Sequence, residues 1–212
     1  MIKPHFKNSI YFLVLISVLL IFIIIKIKDI DFNDISLVIE IISTVVAIDI
    51  FLITIFTKWT WKYKIFQNWL VVFPDLNGSW KGFTYSNWIN PDTNKKPDPI
   101  PVMLNIKQSF FNINCKMITE EMESYSYAQG FIIDSDKQIK NLAYSYTSNP
   151  KSSLRYRSTP HDGTIVFKIV QKPLLKLEGR YWTERETTGQ IKVEFYSKEI
   201  IDELQTKHKE ES

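Results

Sequence analysis

Cysteine, histidine, glycine and proline are all scarce in this chain of 212 residues, which has one Cys, three His, six Gly and nine Pro. The lone thiol, Cys115, cannot close an internal disulfide, which argues against a small secreted domain stapled by bridges. Its alternating neighbours Ile113 and Met117 mark it as a core residue. His5, His161 and His208 lie too far apart to give ligand spacing, so no metal and no other cofactor is expected. His161, in Thr159-Pro160-His161-Asp162-Gly163, reads as a loop or turn residue, with a ligand contact as the alternative. A glycine-rich phosphate loop and a serine-centred nucleophile motif are both missing, and Glu120-Glu121-Met122-Glu123 reads as a solvated hairpin turn. No catalytic residues are therefore expected. Charge of one sign is lacking too. After Pro74, 15 Lys and 4 Arg face 7 Asp and 11 Glu, a net of +1, too balanced for a surface that binds a nucleic-acid polymer.

Long hydrophobic runs are present instead. Residues 10–25 are interrupted only by Tyr11 and Ser17 and are flanked by Lys7 and Lys26. With Ile27 and snorkelling lysines the run reaches the roughly 20 residues of a membrane span. Lys26-Ile27-Lys28-Asp29 offers no small-residue cleavage site, so a cleaved signal peptide is disfavoured. A second run, 35–56, leads into Lys58-Trp59-Thr60-Trp61-Lys62-Tyr63-Lys64, the mixture of rings and lysines found at a bilayer surface. The intervening loop carries three Asp and two Lys, whereas Lys3, Lys7, Lys58, Lys62 and Lys64 flank the runs, so both termini are expected on the cytoplasmic side. Glu40 and Asp49 fall inside the second run. About 100° per residue puts them on opposite faces, so one can face the first span and the other another protomer. The alternative is that Glu40 lies near the outer interface and Asp49 is protonated. Trp61, Ile65, Trp69 and Val72 then recur at helical spacing, predicting an amphipathic helix that extends the span as far as Pro74.

From Gly78 onward the hydrophobic period is two. Eight strands are expected, near 79–86, 100–108, 113–119, 124–133, 139–147, 164–171, 174–185 and 187–196. Short connections suggest an antiparallel meander closed into an up-and-down barrel, with a β-sandwich as the alternative fold. The expected organisation is two membrane helices over 1–57, a juxtamembrane helix and tether over 58–74, a barrel over 75–197 and a charged tail over 198–212. Ile200, Ile201 and Leu204 give the tail the spacing of a short helix packed on the barrel.

Alternation also assigns faces. The side of strand seven that carries Leu175 and Leu177 also carries Tyr181, Thr183 and Arg185, and in strand eight Ile191 and Val193 bring Thr187 inward. Trp80 and Thr84 on strand one, and Tyr144 and Tyr146 on strand five, point the same way. All four arginines, Arg155, Arg157, Arg180 and Arg185, fall within one 31-residue window of a chain otherwise using 22 lysines. A planar guanidinium can bond two oxygens of one phosphate, so a phosphate-bearing ligand fits this clustering. A set of surface arginines beside a tyrosine lid is the alternative.

Two spans, then Leu76-Asn77-Gly78-Ser79-Trp80-Lys81-Gly82, then His161-Asp162-Gly163-Thr164, then Leu177-Glu178-Gly179-Arg180-Tyr181-Trp182-Thr183-Glu184-Arg185-Glu186-Thr187-Thr188-Gly189 form an ordered set of features. This order resembles the two-transmembrane, β-strand-rich effectors associated with CD-NTases in CBASS antiphage defence. The resemblance implies an eight-stranded barrel that binds a cyclic nucleotide second messenger made by a partner CD-NTase. It further implies homo-oligomerisation on binding, contact with inner-membrane lipid and disruption of the bacterial inner membrane. Carried onto this chain, the implied ligand contacts are Tyr181, Thr183, Arg185 and Thr187, followed by Trp80, Thr84, Tyr144, Tyr146 and Arg155. A membrane-tethered, lipocalin-like carrier or sensor of an apolar molecule is the competing function.

Overall fold

The computed structural model describes residues 7–28, 35–67, 69–134, 136–156 and 158–204. Lys3, His5, Asp29, Asp31, Asp34, Arg157 and His208, all weighed above, lie outside the described residues. The chain divides into two compact units, one built on 3–74 with Ser109–Phe111, the other on Asp75–Gln108 and the residues from Asn112 onward.

The first unit holds α1 (Lys7–Lys28) and α2 (Ile35–Lys58), both long and apolar enough to cross a membrane. Most of their large side chains face outward, as lipid requires, while Ile41 and Val45 are buried. The Ser17 hydroxyl lies 2.7 Å from Asp49 Oδ2, so Asp49 is the acid that faces the first helix. Glu40 is on an exposed face of α2. Thr44, Thr54 and Thr57 donate their hydroxyls to the carbonyls of Glu40, Ile50 and Ile53, which keeps those groups satisfied away from water.

The amphipathic helix expected after α2 does not form. Two three-residue 3-10 turns, Thr60–Lys62 and Lys64–Phe66, replace it, because Tyr63 and Gln67 take extended backbone (ψ 138° and 144°) and break the helical ladder. Ring burial outweighs local periodicity here. Trp61 is 1% exposed, with Phe73 and Phe110 at 5.6 and 6.1 Å, whereas Ile65, expected on the same stripe, is 71% exposed.

The second unit is a closed barrel of β1 (Gly78–Ser86), β2 (Ile100–Gln108), β3 (Ile113–Ile118), β4 (Met122–Asp134), β5 (Ile139–Pro150), β6 (His161–Val170), β7 (Lys176–Thr183) and β8 (Thr188–Ser197). Every neighbouring pair is antiparallel, and β1 closes on β8, so the sandwich alternative is excluded. Bulges interrupt the register at Ser79/Trp80 and at Ser126/Ala128. β5 and β6 are longer than expected at their facing ends. His161 is consequently the first residue of β6, paired with Ser148, and not a loop residue.

One end of the barrel is plugged. Leu76, Trp80, Leu104, Ile106, Phe167 and Leu177 are fully buried, and Trp80 Nε1 donates to the Leu76 carbonyl at 3.0 Å. The backbone N–H of Leu76 donates to Gln108 Oε1 (2.8 Å), and Asn77 and Gln108 exchange two further hydrogen bonds. The described tail carries no helix. It crosses the outside of β1 and β2 as a strap, because the Ile201 N–H donates to Ser79 Oγ (2.9 Å) and Asn105 Nδ2 donates to the Ile201 carbonyl (2.8 Å). The outward-facing Met103 and Ile118, adjacent on β2 and β3, are likewise buried.

Candidate functional site

Four turns gather at the other end of the barrel: 87–99, 119–121, 151–160 and 184–187. Inside them the barrel opens into a cavity of about 670 Å³, within the range of about 300 to 1,000 Å³ usual for small-molecule sites. Its apolar wall comes from inward positions on four strands, Val102, Met117, Ile165 and Ile191. Two residues further along the same strands, Leu104, Cys115, Phe167 and Val193 are buried and close the floor. Burial pushes the Cys115 thiol far above its ordinary range, so it stays a neutral core group.

Thr84, Tyr146, Tyr181, Thr183, Arg185 and Thr187 all line this cavity, so six of the nine expected contacts converge. Two of them depend on glycine partners across the strand. Tyr146 pairs with Gly163 and Tyr181 with Gly189, and a Cβ on either glycine would fall 2.5 Å from the facing tyrosine. The bare backbone is what leaves room for each ring beside its partner strand. Burial pushes the Tyr146 phenol up to about 12, with Tyr181 adding to the effect, so it remains a hydrogen-bond donor at neutral pH.

The β7–β8 turn supplies the polar side of the mouth. Thr183 and Thr187 bond to each other through their hydroxyls at 2.7 Å, and the turn is completed by Glu186 at φ 59°. Arg185 leans from this turn to the β5–β6 connection, donating to Ser158 Oγ (3.2 Å), Thr159 Oγ1 (3.1 Å) and the Thr159 carbonyl. His161 Nδ1 lies 3.2 Å from the same carbonyl. A carbonyl only accepts, so Nδ1 carries the proton and Nε2 is left as an acceptor. Burial holds the His161 ring below the usual histidine range; the Thr159 carbonyl opposes that and the Arg185 cation reinforces it.

Three expected contacts stand away from the cavity wall. Trp80 is 0% exposed at the plugged end. Tyr144 sits one inward position below Tyr146, their rings 6.0 Å apart, and its buried hydroxyl has no hydrogen-bond partner among the described residues. Both are correctly on the inner face, but alternation fixes a face and not a depth. Arg155 is exposed just beyond the 3-10 turn Ser152–Leu154, where no strand aims it inward.

Sequence reasoning missed Trp88, Asp98, Glu120 and Glu121 and held His161 only as the lesser alternative, yet all five reach the cavity. They sit on or beside turns, where period-two alternation gives no direction. A tryptophan in a Pro- and Asn-rich loop was the available signal. A separate hollow of about 520 Å³ runs along α2 past Glu40, Ser43, Thr44, Ala47, Ile48 and Phe51, on the open surface of the helix.

The sequence is 29% identical over 158 residues to CD-NTase-associated protein 15 of Staphylococcus schleiferi, spanning 73% of this chain and 79% of that protein. The family model for the Cap15 cyclic dinucleotide receptor domain matches residues 71–194, which takes in all of β1 to β7 and most of β8. That match covers more than half of the chain and coincides with the barrel and its cavity, so this chain belongs to the Cap15 cyclic dinucleotide receptor family.

Proposed function

We propose that this protein is an inner-membrane effector of CBASS defence that binds a CD-NTase-derived cyclic dinucleotide in the open end of its barrel and responds by self-association and membrane disruption. The observation that carries the binding reading is the coincidence of the family's receptor domain with a 670 Å³ cavity having Arg185, Thr183 and Thr187 at its mouth. Guanidinium and hydroxyl donors suit the two phosphodiesters of such a ligand, and the tyrosine rings suit its flat bases. The basic residues flanking the two spans favour a cytoplasmic barrel, where a messenger made inside the cell reaches it.

Self-association is supported by the face of α2 on which Glu40, Ser43, Thr44 and Ala47 lie exposed. Small and polar side chains allow close helix approach and interhelical hydrogen bonds in lipid. A ligand drives this step only to the extent that it binds the assembled state more tightly than the monomer.

Calorimetry of the full-length protein in detergent with cyclic di-AMP, cyclic di-GMP and cyclic GMP-AMP tests the binding reading. Dye release from liposomes carrying the protein tests the response. Binding of one probe with ligand-dependent release is expected. Absence of binding to all three overturns the receptor reading, and tight binding without release overturns the membrane step.

A further inference from the structure

We propose that Trp88 is the base-stacking residue of the cavity, so that one nucleobase lies against its indole while the phosphates face the β5–β8 side of the mouth. This rests on the receptor reading above and adds which wall takes which half of the ligand.

The closed strand order fixes the geometry of the four turns. The β1–β2 loop stands across the barrel from the β5–β6 connection, and the β3–β4 turn stands across from the β7–β8 turn. Among the residues that line the cavity, charge follows the same division. The Arg185 cation lies on the β5–β8 half, whereas the carboxylates Asp98 and Glu120 lie on the β1–β4 half. A phosphodiester set against those carboxylates meets like charge, while a base brings flat, neutral surface and N–H edges. The ligand is therefore oriented with a base toward the β1–β2 loop.

Trp88 supplies the face for it. Its side chain lines the cavity yet is 47% exposed, although the loop that holds it is firmly anchored. The Trp88 N–H donates to Ser86 Oγ (3.1 Å), the adjacent Asn87 N–H donates to the Thr188 carbonyl (2.8 Å), and Lys96 Nζ donates to Asn87 Oδ1 (3.3 Å). A large ring carried on an anchored backbone and left open on a cavity wall is a stacking surface, so little backbone ordering is needed when a base covers it.

The test uses the full-length protein in detergent and whichever of cyclic di-AMP, cyclic di-GMP and cyclic GMP-AMP binds the wild type best. Trp88→Ala is expected to weaken binding about 5- to 150-fold, and Trp88→Phe to restore most of it. Ligand-induced quenching of tryptophan fluorescence is expected in the wild type and lost in Trp88→Phe despite retained affinity. Trp182→Ala, which removes an exposed ring from outward-facing β7, leaves affinity unchanged. Wild-type affinity in Trp88→Ala, or undiminished quenching in Trp88→Phe, overturns the assignment while leaving the receptor reading intact. A wild type that binds none of the probes overturns both.

Discussion

The Arg185 guanidinium and the His161 imidazole meet at one acceptor, the backbone carbonyl of Thr159. The β7–β8 turn and the β5–β6 connection are thereby tied together at the rim of the cavity. Arg185 holds the rim in this form, and its remaining N–H groups are available to a phosphate.

Arg185→Ala is accordingly expected to weaken cyclic dinucleotide binding by about 10- to 150-fold, the range for hydrogen bonds to a charged group. Arg185→Lys recovers only part of the loss, because a point charge replaces a planar fork. Arg155→Ala, outside the cavity, leaves affinity unchanged. Calorimetry on the three variants checks this, and equal losses for Arg155 and Arg185 would count against the site.

Gly189→Ala places a Cβ 2.3 Å from the Tyr85 carbonyl and 2.5 Å from the Tyr181 ring. Backbone as well as ring must move, so a destabilisation of about 1 to 3 kcal/mol is expected. Tyr181→Phe keeps the ring over the glycine and leaves stability close to wild type while removing one cavity hydroxyl. Thermal unfolding in detergent distinguishes the two variants; an unshifted midpoint for Gly189→Ala rules out the close approach.

The depressed His161 ring gives a pH signature. The folded barrel binds fewer protons at this position than the unfolded chain does. Its contribution to stability is complete above the unfolded value of about 6.5 and is lost as pH falls through the lower folded value. An anionic ligand beside the ring favours protonation, so binding takes up protons and tightens over the same descent. His161→Gln is expected to flatten both trends, measured as unfolding midpoint and dissociation constant across about pH 5 to 8.

Lysine placement around the two spans predicts a cytoplasmic carboxyl terminus. A C-terminal green fluorescent protein fusion should fluoresce in the bacterial host, and an alkaline phosphatase fusion at the same point should be inactive. The reverse pair of results places the barrel outside the inner membrane, beyond the reach of an intracellular messenger.

Eight strands were legible because β-structure leaves a period of two in a single chain. Strand two, 100–108, coincides with its expected limits, and the inward set Leu142, Tyr144, Tyr146 follows from alternation alone. Two other patterns misled. The helical spacing of Trp61, Ile65, Trp69 and Val72 was real in the sequence, yet Trp61 is buried through Phe73 and Phe110. The spacing of Ile200, Ile201 and Leu204 likewise gave way to hydrogen bonds offered by Ser79 and Asn105. In both cases a partner distant in sequence outbid a weak local preference.

By itself the sequence determined the two apolar helices, the eight alternating strands and the inward face of β1, β5 and β7, since all of these depend on neighbours within a few positions. Tertiary structure decided depth and company: that Tyr146 lines the cavity while Tyr144 lies below it, that Arg185 meets Thr159, and that Trp88 and His161 line one cavity. Closure of β1 on β8 brings four separate turns to one rim, and no local pattern records which of them will face each other.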